Sequence, residues 1–109
     1  MKTLTIDIET NTAWDTIWCC GVHNVDTGDV LVASTPEALK RLLVGCDTVV
    51  TYNGIAFDIP LLERIWNMSF EDIEVVDALV MSRLYDPSLS GGHSLRSWGD
   101  RLNWPKGDF

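Results

Sequence analysis

A strict alternation of apolar and polar residues opens the chain and fixes what its first element can be. Between residues 3 and 9 the apolar side chains Leu4, Ile6 and Ile8 take every second position, which is the period of a β-strand. Asp7 and Glu9 therefore share the other face of that strand. The strand is rich in isoleucine, as a strand in the centre of a sheet would be, and acids beside a buried strand need a source of positive charge.

The spacing of these two acids suits divalent cations. At a rise of about 3.3 Å per residue, the Cα atoms of Asp7 and Glu9 lie roughly 6.6 Å apart, so both side chains can converge on two metal ions about 3.5 to 4 Å from each other. Hard cations such as Mg²⁺ or Mn²⁺ select oxygen ligands of this kind, whereas zinc favours His or Cys clusters, which the sequence lacks. The alternative interpretation is a solvated strand face.

Length and charge limit the classes of protein to which the chain can belong. With 109 residues, 46% of them hydrophobic, it is expected to form one domain with a single core. A formal net charge of −8 argues against binding duplex nucleic acid through basic patches alone. A nuclease remains possible, because metal ions supply positive charge at the cleavage point. No apolar run of about 18 residues and no signal-peptide pattern occur, which predicts a cytoplasmic protein with no membrane partner.

The rest of the chain alternates between strand and helix patterns. The predicted strands are residues 18–25, 30–33, 48–52 and 73–76, and the predicted helices run from residue 36 to about 45 and over 59–66, 77–84 and 94–102. Residues 26–29 form a predicted hairpin turn, and the segment 34–37 supplies a cap, a proline and an acid for the first helix. The order β-β-β-α-β-α-β-α, with a further helix at the end, predicts an α/β fold with a mixed five-stranded sheet and flanking helices.

The predicted strand 48–52 brings a third carboxylate to the first two. In the expected sheet it lies beside the first strand and parallel to it, so that its end meets the acids. Asn53 and Asp58 follow this end and are expected close to Asp7 and Glu9. Each also has a purely structural explanation, because Asn-Gly is an ordinary turn and an Asp two residues before a proline can cap a helix.

Four sets of residues together resemble a known nuclease family. They are Asp7-Ile8-Glu9; Asn53-Gly54 with Asp58-Ile59-Pro60; Val76-Asp77-Ala78-Leu79 with Ser82-Arg83-Leu84; and residues 92–102, GHSLRSWGDRL. In this order and spacing they resemble the 3′–5′ proofreading exonuclease domain of family A DNA polymerases, in particular those of short-tailed phages. These domains belong to the DEDD exonuclease superfamily and have a ribonuclease H-like fold. The first two sets match the first and second exonuclease motifs, and the similarity covers nearly all of residues 1–109.

The resemblance lacks one component. The third motif of the family, a Tyr or His followed four residues later by an Asp on a helix, should lie beyond the Trp-Gly-x-Arg-Leu segment, and this sequence ends before it. We therefore expect an exonuclease domain truncated before the third motif, with a separately encoded remainder of the polymerase as a partner.

The resemblance implies a reaction and a set of residues for it. The reaction is hydrolysis of single-stranded DNA from its 3′ end with release of nucleoside monophosphates. Asp7, Glu9 and Asp58 would be the catalytic residues and the ligands of two Mg²⁺ or Mn²⁺ ions, with the missing motif supplying a fourth ligand. The terminal nucleotide would be held by Asn53 and by the backbone near Thr10.

Several other residues have two interpretations each. Trp14 or Phe57 would stack on an unpaired base, with core packing as the alternative. His93 would touch a phosphate or else anchor the following helix. Asp77 is expected to cap a helix or to hydrogen-bond near the site rather than to bind metal. The tryptophans are expected mostly to fill the core; they are residues 14, 18, 66, 98 and 104.

The sequence also allows two alternatives to an active DNA exonuclease. The first is a catalytically incomplete fragment that serves as a structural or docking part of a split polymerase. The second is a stand-alone DEDD ribonuclease, because no residue in the sequence identifies recognition of a 2′-hydroxyl.

Overall fold

The fold is given by a computed structural model that describes residues 1–88 and 91–102, with the backbone alone for Gly99 and Asp100. The strands are β1 (Thr3–Thr10), β2 (Ile17–Asn24), β3 (Val30–Ala33), β4 (Thr48–Thr51) and β5 (Glu74–Asp77), and the helices are α1 (Pro36–Leu42), α2 (Asp58–Ile65), α3 (Ala78–Tyr85) and α4 (Leu95–Arg101). The predicted α/β order is confirmed. Most element ends differ from the prediction by one residue, while α1 ends earlier than expected, at Leu42.

The five strands form one mixed sheet in the order β3-β2-β1-β4-β5. The first strand is central, as its composition predicts. It pairs with β2 in antiparallel fashion along its length and with β4 in parallel fashion through Thr3, Leu4 and Thr5. The predicted parallel pairing of the first and fourth strands is thus confirmed. The pairing with β4 stops halfway along β1, which leaves the edge beside Ile8 for another element to contact.

The core lies on one face of the sheet, beneath α1 and α2. Leu4, Ile6 and Ile8 of β1 pack in one cluster with residues of both helices, among them Leu39 and Leu62, which are fully buried. Burying a leucine side chain contributes about 1.5–3 kcal/mol. The amphipathic pattern of β1 therefore determines which face takes these helices, and it leaves Asp7 and Glu9 on the other face.

The first helix begins as its sequence predicts. The Thr35 hydroxyl accepts a hydrogen bond from the Ala38 amide at 3.2 Å, and Pro36 occupies the first turn together with the acid Glu37. Gly45 follows the helix with a φ of 73°, a left-handed conformation that glycine adopts without strain. The chain then returns to the sheet as β4.

The expectation that the tryptophans mostly fill the core is wrong in part. Trp66 is buried, but Trp14 and Trp18 are 58% and 60% exposed. Trp18 has no partner in the register between β1 and β2, because Cys19 lies opposite Glu9 and Ile17 opposite Thr10. It is the extra residue of a β-bulge, which turns its side chain outward. Trp104 lies outside the described residues. Among the helices that the structure describes, none is long and apolar enough to cross a bilayer.

Candidate active site

Asp7 and Glu9 lie on β1 with their side chains on the face opposite the core. Both side chains are exposed, whereas Ile6 and Ile8 between and beside them are buried. Gly21 of β2 lies directly across from Asp7, so the position beside the Asp7 carboxylate carries no side chain. The two acids therefore face an accessible surface, as the alternation predicts.

Asp58 reaches this strand from the second helix. It is the first residue of α2, its side chain is 7% exposed, and its Oδ2 accepts a hydrogen bond from the Ile8 amide at 3.3 Å. The N-cap of α2 is Phe57, which makes no side-chain capping bond, so the explanation of Asp58 as a helix cap is wrong. Asp58 instead occupies the edge of β1 just past its pairing with β4. The structure thus brings Asp58 to the strand that carries Asp7 and Glu9.

The environment of Asp58 disfavours its negative charge. Burial raises the pKa of Asp58 to about 6, and although the Ile8 amide lowers it, the negative charges of Asp7 and Asp77 raise it further. The negative charges of Asp7 and Asp58 therefore repel each other. A cation placed between them would relieve this repulsion.

The donor set is smaller than a complete protein cage for a metal ion. Within residues 1–88 and 91–102, no group of three or more His, Cys, Asp and Glu side chains is arranged to hold a metal. Magnesium, however, is usually bound by one or two protein carboxylates, with water and substrate phosphates as its other ligands. Asp7 and Asp58 fit that description. Participation of Glu9 stays a prediction.

The corner between β4 and α2 carries Asn53 and Gly54. Asn53 has a left-handed φ of 63°. A Cβ atom at Gly54 would lie 2.3 Å from the Cβ of Thr51, so a residue other than glycine does not fit without a shift of the strand. This close approach explains the Asn-Gly pair of the sequence. The binding of a terminal nucleotide by Asn53, and by Thr10 at the end of β1, stays a prediction.

Asp77 holds this corner from β5. Its Oδ1 accepts hydrogen bonds from the amides of Asn53 and Leu79, at 2.8 and 2.9 Å, and its Oδ2 accepts one from the Ile55 amide at 3.1 Å. The bond to Leu79 makes Asp77 the N-cap of α3, which confirms the predicted cap. Hydrogen bonds near the site were the second expectation for Asp77, but their partners could not be predicted, because no local pattern relates residue 77 to residues 53 and 55.

Trp14 and Phe57 come together beside the start of α2. Their ring centroids lie 5.5 Å apart at an interplanar angle of 59°. They border a cavity of about 500 Å³, which is lined by Trp14, Ala56, Phe57, Pro60, Leu61 and Arg64. We call this cavity the aromatic cleft. Core packing is ruled out for the exposed Trp14, whereas the half-buried Phe57 packs against the core as well as lining the cleft.

Arg64 holds Trp14 in place. The guanidinium Nη2 of Arg64 donates a hydrogen bond to the Trp14 carbonyl at 2.6 Å. Trp14 has a left-handed φ of 56°, a conformation that is uncommon for bulky residues and therefore needs support from its surroundings. The Asn11 side chain gives further support, because its Oδ1 accepts the amides of Asp15 and Thr16 at 3.1 Å. Sequence patterns gave no signal for Arg64, which lies on α2, 50 residues further along the chain.

His93 lies in the turn before α4, between two hydrogen-bonding partners. Its Nδ1 is 2.7 Å from the Ser82 Oγ and its Nε2 is 3.4 Å from the Pro87 carbonyl oxygen. The Trp98 indole donates to the same hydroxyl at 2.5 Å, so the hydroxyl proton is available to His93 Nδ1. These contacts favour His93 as an anchor between α3 and α4. A contact with phosphate stays a prediction.

Comparisons with known proteins agree with this architecture. The family model RNase_H_2, described as RNase_H superfamily, matches residues 4–97. A search of curated protein sequences gave no significant match.

Similar solved structures include a DNA polymerase and two structures of one exonuclease domain. One is the family B DNA polymerase from the hyperthermophilic archaeon Pyrobaculum calidifontis, with 15% identity and a TM-score of 0.69 over 93% of this chain and 18% of that one. Two are the EXD2 exonuclease domain, soaked in Mg and GMP (20% identity, TM-score 0.54) or in Mn and dGMP (22%, 0.56), each over 95% of this chain and 58% of that one. The chain thus spans less than two thirds of each of these structures, and at such identities the likeness shows a shared fold.

Together with the family model, which covers most of the sequence, the five-stranded architecture shows that the chain belongs to the RNase H superfamily.

Proposed function

We propose that the chain is the 3′–5′ exonuclease part of a phage-type family A DNA polymerase, which proofreads DNA in the cytoplasm by removing nucleotides from a single-stranded 3′ end. The observation that carries the proposal is the Asp58 carboxylate, which is buried against the Ile8 amide of the strand that presents Asp7 and Glu9. The structural likeness to a DNA polymerase and to an exonuclease domain supports the same class of reaction.

The residues of the site provide carboxylate oxygens that suit a divalent ion. When bound, Mg²⁺ or Mn²⁺ would supply positive charge at the scissile phosphate and an activated water, with two ions in the complete site. Asp7 and Asp58 would hold such an ion from two sides, with Glu9 as a further ligand. The Ile8 amide holds the Asp58 carboxylate toward the strand, so this ligand is oriented before metal or substrate arrives.

The aromatic cleft favours the binding of a substrate whose terminal base is unpaired. It adjoins the metal site, because Phe57 directly precedes Asp58 and Leu61 lies one turn further along α2. Stacking of a base on an aromatic side chain contributes about 1–3 kcal/mol and depends little on sequence. A base inside a duplex is already stacked on both faces, and a paired terminal base exposes only its outer face. The cleft therefore favours a frayed or single-stranded 3′ end, as proofreading requires.

A second candidate is a fragment that becomes active only with a partner chain. It is favoured by the absence of a three-ligand metal cluster from the described residues. The Asp7 side of the sheet also borders a groove of about 590 Å³, to which Tyr52, Ala78 and Leu95 contribute. In this candidate, the separately encoded remainder of the polymerase would supply the missing ligand.

The test is a nuclease assay on oligonucleotides with a labelled 3′ end. The purified chain in Mg²⁺ or Mn²⁺ should release nucleoside monophosphates from single-stranded DNA, and Asp7→Asn or Asp58→Asn should abolish the release. Asp72→Asn, a change at an exposed acid before β5, is the matched control and should have no effect. Release only after addition of the downstream polymerase chain would favour the second candidate. A clear preference for RNA would instead identify a ribonuclease, and inactivity under all these conditions would contradict the proposal.

A further inference from the structure

Asp77 contacts the corner that leads to Asp58 without belonging to the metal site itself. We propose that Asp77 is a positioning residue that seats the Asp58 carboxylate on β1 by holding the corner formed by residues 53–55. The catalytic consequence of this role rests on the proposed function, but the seating of Asp58 does not.

The bonds of Asp77 exceed what a helix cap requires. A cap needs one oxygen, and serine, threonine or asparagine provides it as well as aspartate does. In this protein Oδ1 accepts the Leu79 amide of α3, yet it also accepts the Asn53 amide, and Oδ2 accepts the Ile55 amide. Asn53 and Ile55 lie outside α3, in the corner after β4. One buried carboxylate therefore joins three amides from two separate parts of the chain.

Asp77 remains charged although its side chain is 3% exposed. Burial would raise its pKa, but the amides of Asn53, Ile55 and Leu79 stabilise the carboxylate and hold the pKa below the ordinary value. Hydrogen bonds to a charged group are shorter and stronger than those between neutral groups. The charged form therefore holds the corner more firmly than a neutral side chain would.

The corner in turn fixes both neighbours of Asp58. The Asn53 carbonyl accepts the Phe57 amide at 3.1 Å, and the Gly54 carbonyl accepts the Ile59 amide at 2.7 Å. Asp58 lies between these two bonded residues, so its backbone moves with the corner. Gly54 packs against Thr51 too closely to allow any side chain at this position, which leaves the corner little room for another arrangement. Contacts thus lead continuously from Asp77 through the corner to Asp58 and to the Ile8 amide.

The test uses the Ile8 amide as a reporter and needs neither metal nor activity. Asp77→Ser keeps an oxygen for the cap of α3, but its short hydroxyl cannot bond both corner amides. Hydrogen exchange measured by NMR should become about tenfold faster, or more, at the Ile8 amide, in keeping with the loss of bonds to a charged acceptor. The Val25 amide donates to the Thr3 carbonyl at 3.0 Å near the other end of β1 and should keep its rate.

Two further variants complete the test: a milder change at Asp77 and a control change at Asp86. Asp77→Asn keeps one acceptor oxygen and should give a smaller effect than Asp77→Ser; it also decides the question if the serine variant does not fold. Asp86→Ser removes an acid just after α3 and should leave Ile8 unchanged. Equal acceleration at Ile8 and Val25 in the Asp77 variants would indicate general loosening and overturn the proposal, as would unchanged protection of Ile8.

Nuclease kinetics of the Asp77 variant test its catalytic role separately from the seating of Asp58. If the chain is a nuclease, Asp77→Ser should lower kcat, because the Asp58 carboxylate would lose its fixed place on β1. If the chain has no nuclease activity, the proposed function fails, and the exchange rate of Ile8 still tests the seating of Asp58.

Discussion

The carboxylate of Asp58 accepts a hydrogen bond from the backbone amide of Ile8, although 50 residues separate them in the chain. The relationship follows from the sheet, because β4 pairs with β1 up to Thr5 and then leaves. Past that point, Asp58 provides the acceptor that a longer β4 would have provided. The Ile8 amide of the central strand thus has a charged side chain as its acceptor. This contact brings the Asp58 carboxylate to the strand position next to Asp7.

Replacement of Asp58 by asparagine should stabilise the metal-free protein at neutral pH. The folded-state pKa of about 6 lies above the ordinary value of 3.8, so the contribution of Asp58 to stability is greatest below the lower value and is lost as the pH rises through the higher one. Asparagine cannot ionise and can still accept the Ile8 amide. We expect Asp58→Asn to raise the free energy of unfolding by about 1–3 kcal/mol at pH 7.5.

Urea unfolding of both proteins without metal measures this effect. The advantage of the asparagine variant should shrink as the pH is lowered from 7.5 to 4. A variant that is less stable than the parent by the same amount at both pH values would show that burial does not penalise the charge of Asp58.

Loss of the Trp14 side chain should weaken substrate binding more than it slows the reaction. Stacking of one base contributes about 1–3 kcal/mol, so Trp14→Ala should raise KM for single-stranded DNA by about 5- to 150-fold. Arg64→Ala removes one hydrogen bond to the Trp14 backbone and should raise KM by about 2- to 10-fold. Steady-state kinetics measure both changes. Tyr85→Ala removes an exposed aromatic from α3, outside the cleft, and an equal rise in KM for this control would count against the cleft as the base site.

The contact between α2 and the sheet should account for a large part of the stability. Leu62 is fully buried in the core cluster, and Leu62→Ala should lower the free energy of unfolding by about 2–5 kcal/mol. Leu84→Ala, at an exposed position of α3, should change it by about 0.5 kcal/mol or less. Denaturant unfolding compares the two variants. Similar losses in both would mean that α2 is not packed on the sheet as described.

The order of the elements could be predicted because it depends on local patterns. The alternation in β1 gives both the strand and its buried face, and the segment around Pro36 gives the start of α1. The central position of β1 follows from its apolar composition and from the parallel strand that must lie beside it. These features need information from only a few neighbouring residues.

The contacts that complete the site could not be predicted in the same way. The sequence predicts that Asp77 caps a helix or hydrogen-bonds near the site, and it does both, but its partners in the corner of Asn53 depend on the packing of β5 against β4. Arg64 contacts Trp14 because a helix and a distant loop meet, and no spacing in the sequence indicates it. Trp18 lies outside the core because a bulge interrupts the register, which the apolar pattern does not reveal.

Binding of Mn²⁺ shows whether Asp7 and Asp58 form a single metal site. Affinity should be measured by electron paramagnetic resonance at pH 7.5 for the parent chain, for Asp7→Asn, for Asp58→Asn and for the double variant. We predict that each single change weakens binding at least about tenfold and that the double change adds little, since the two carboxylates share one ion. Independent, additive losses, or binding that neither change affects, would contradict it.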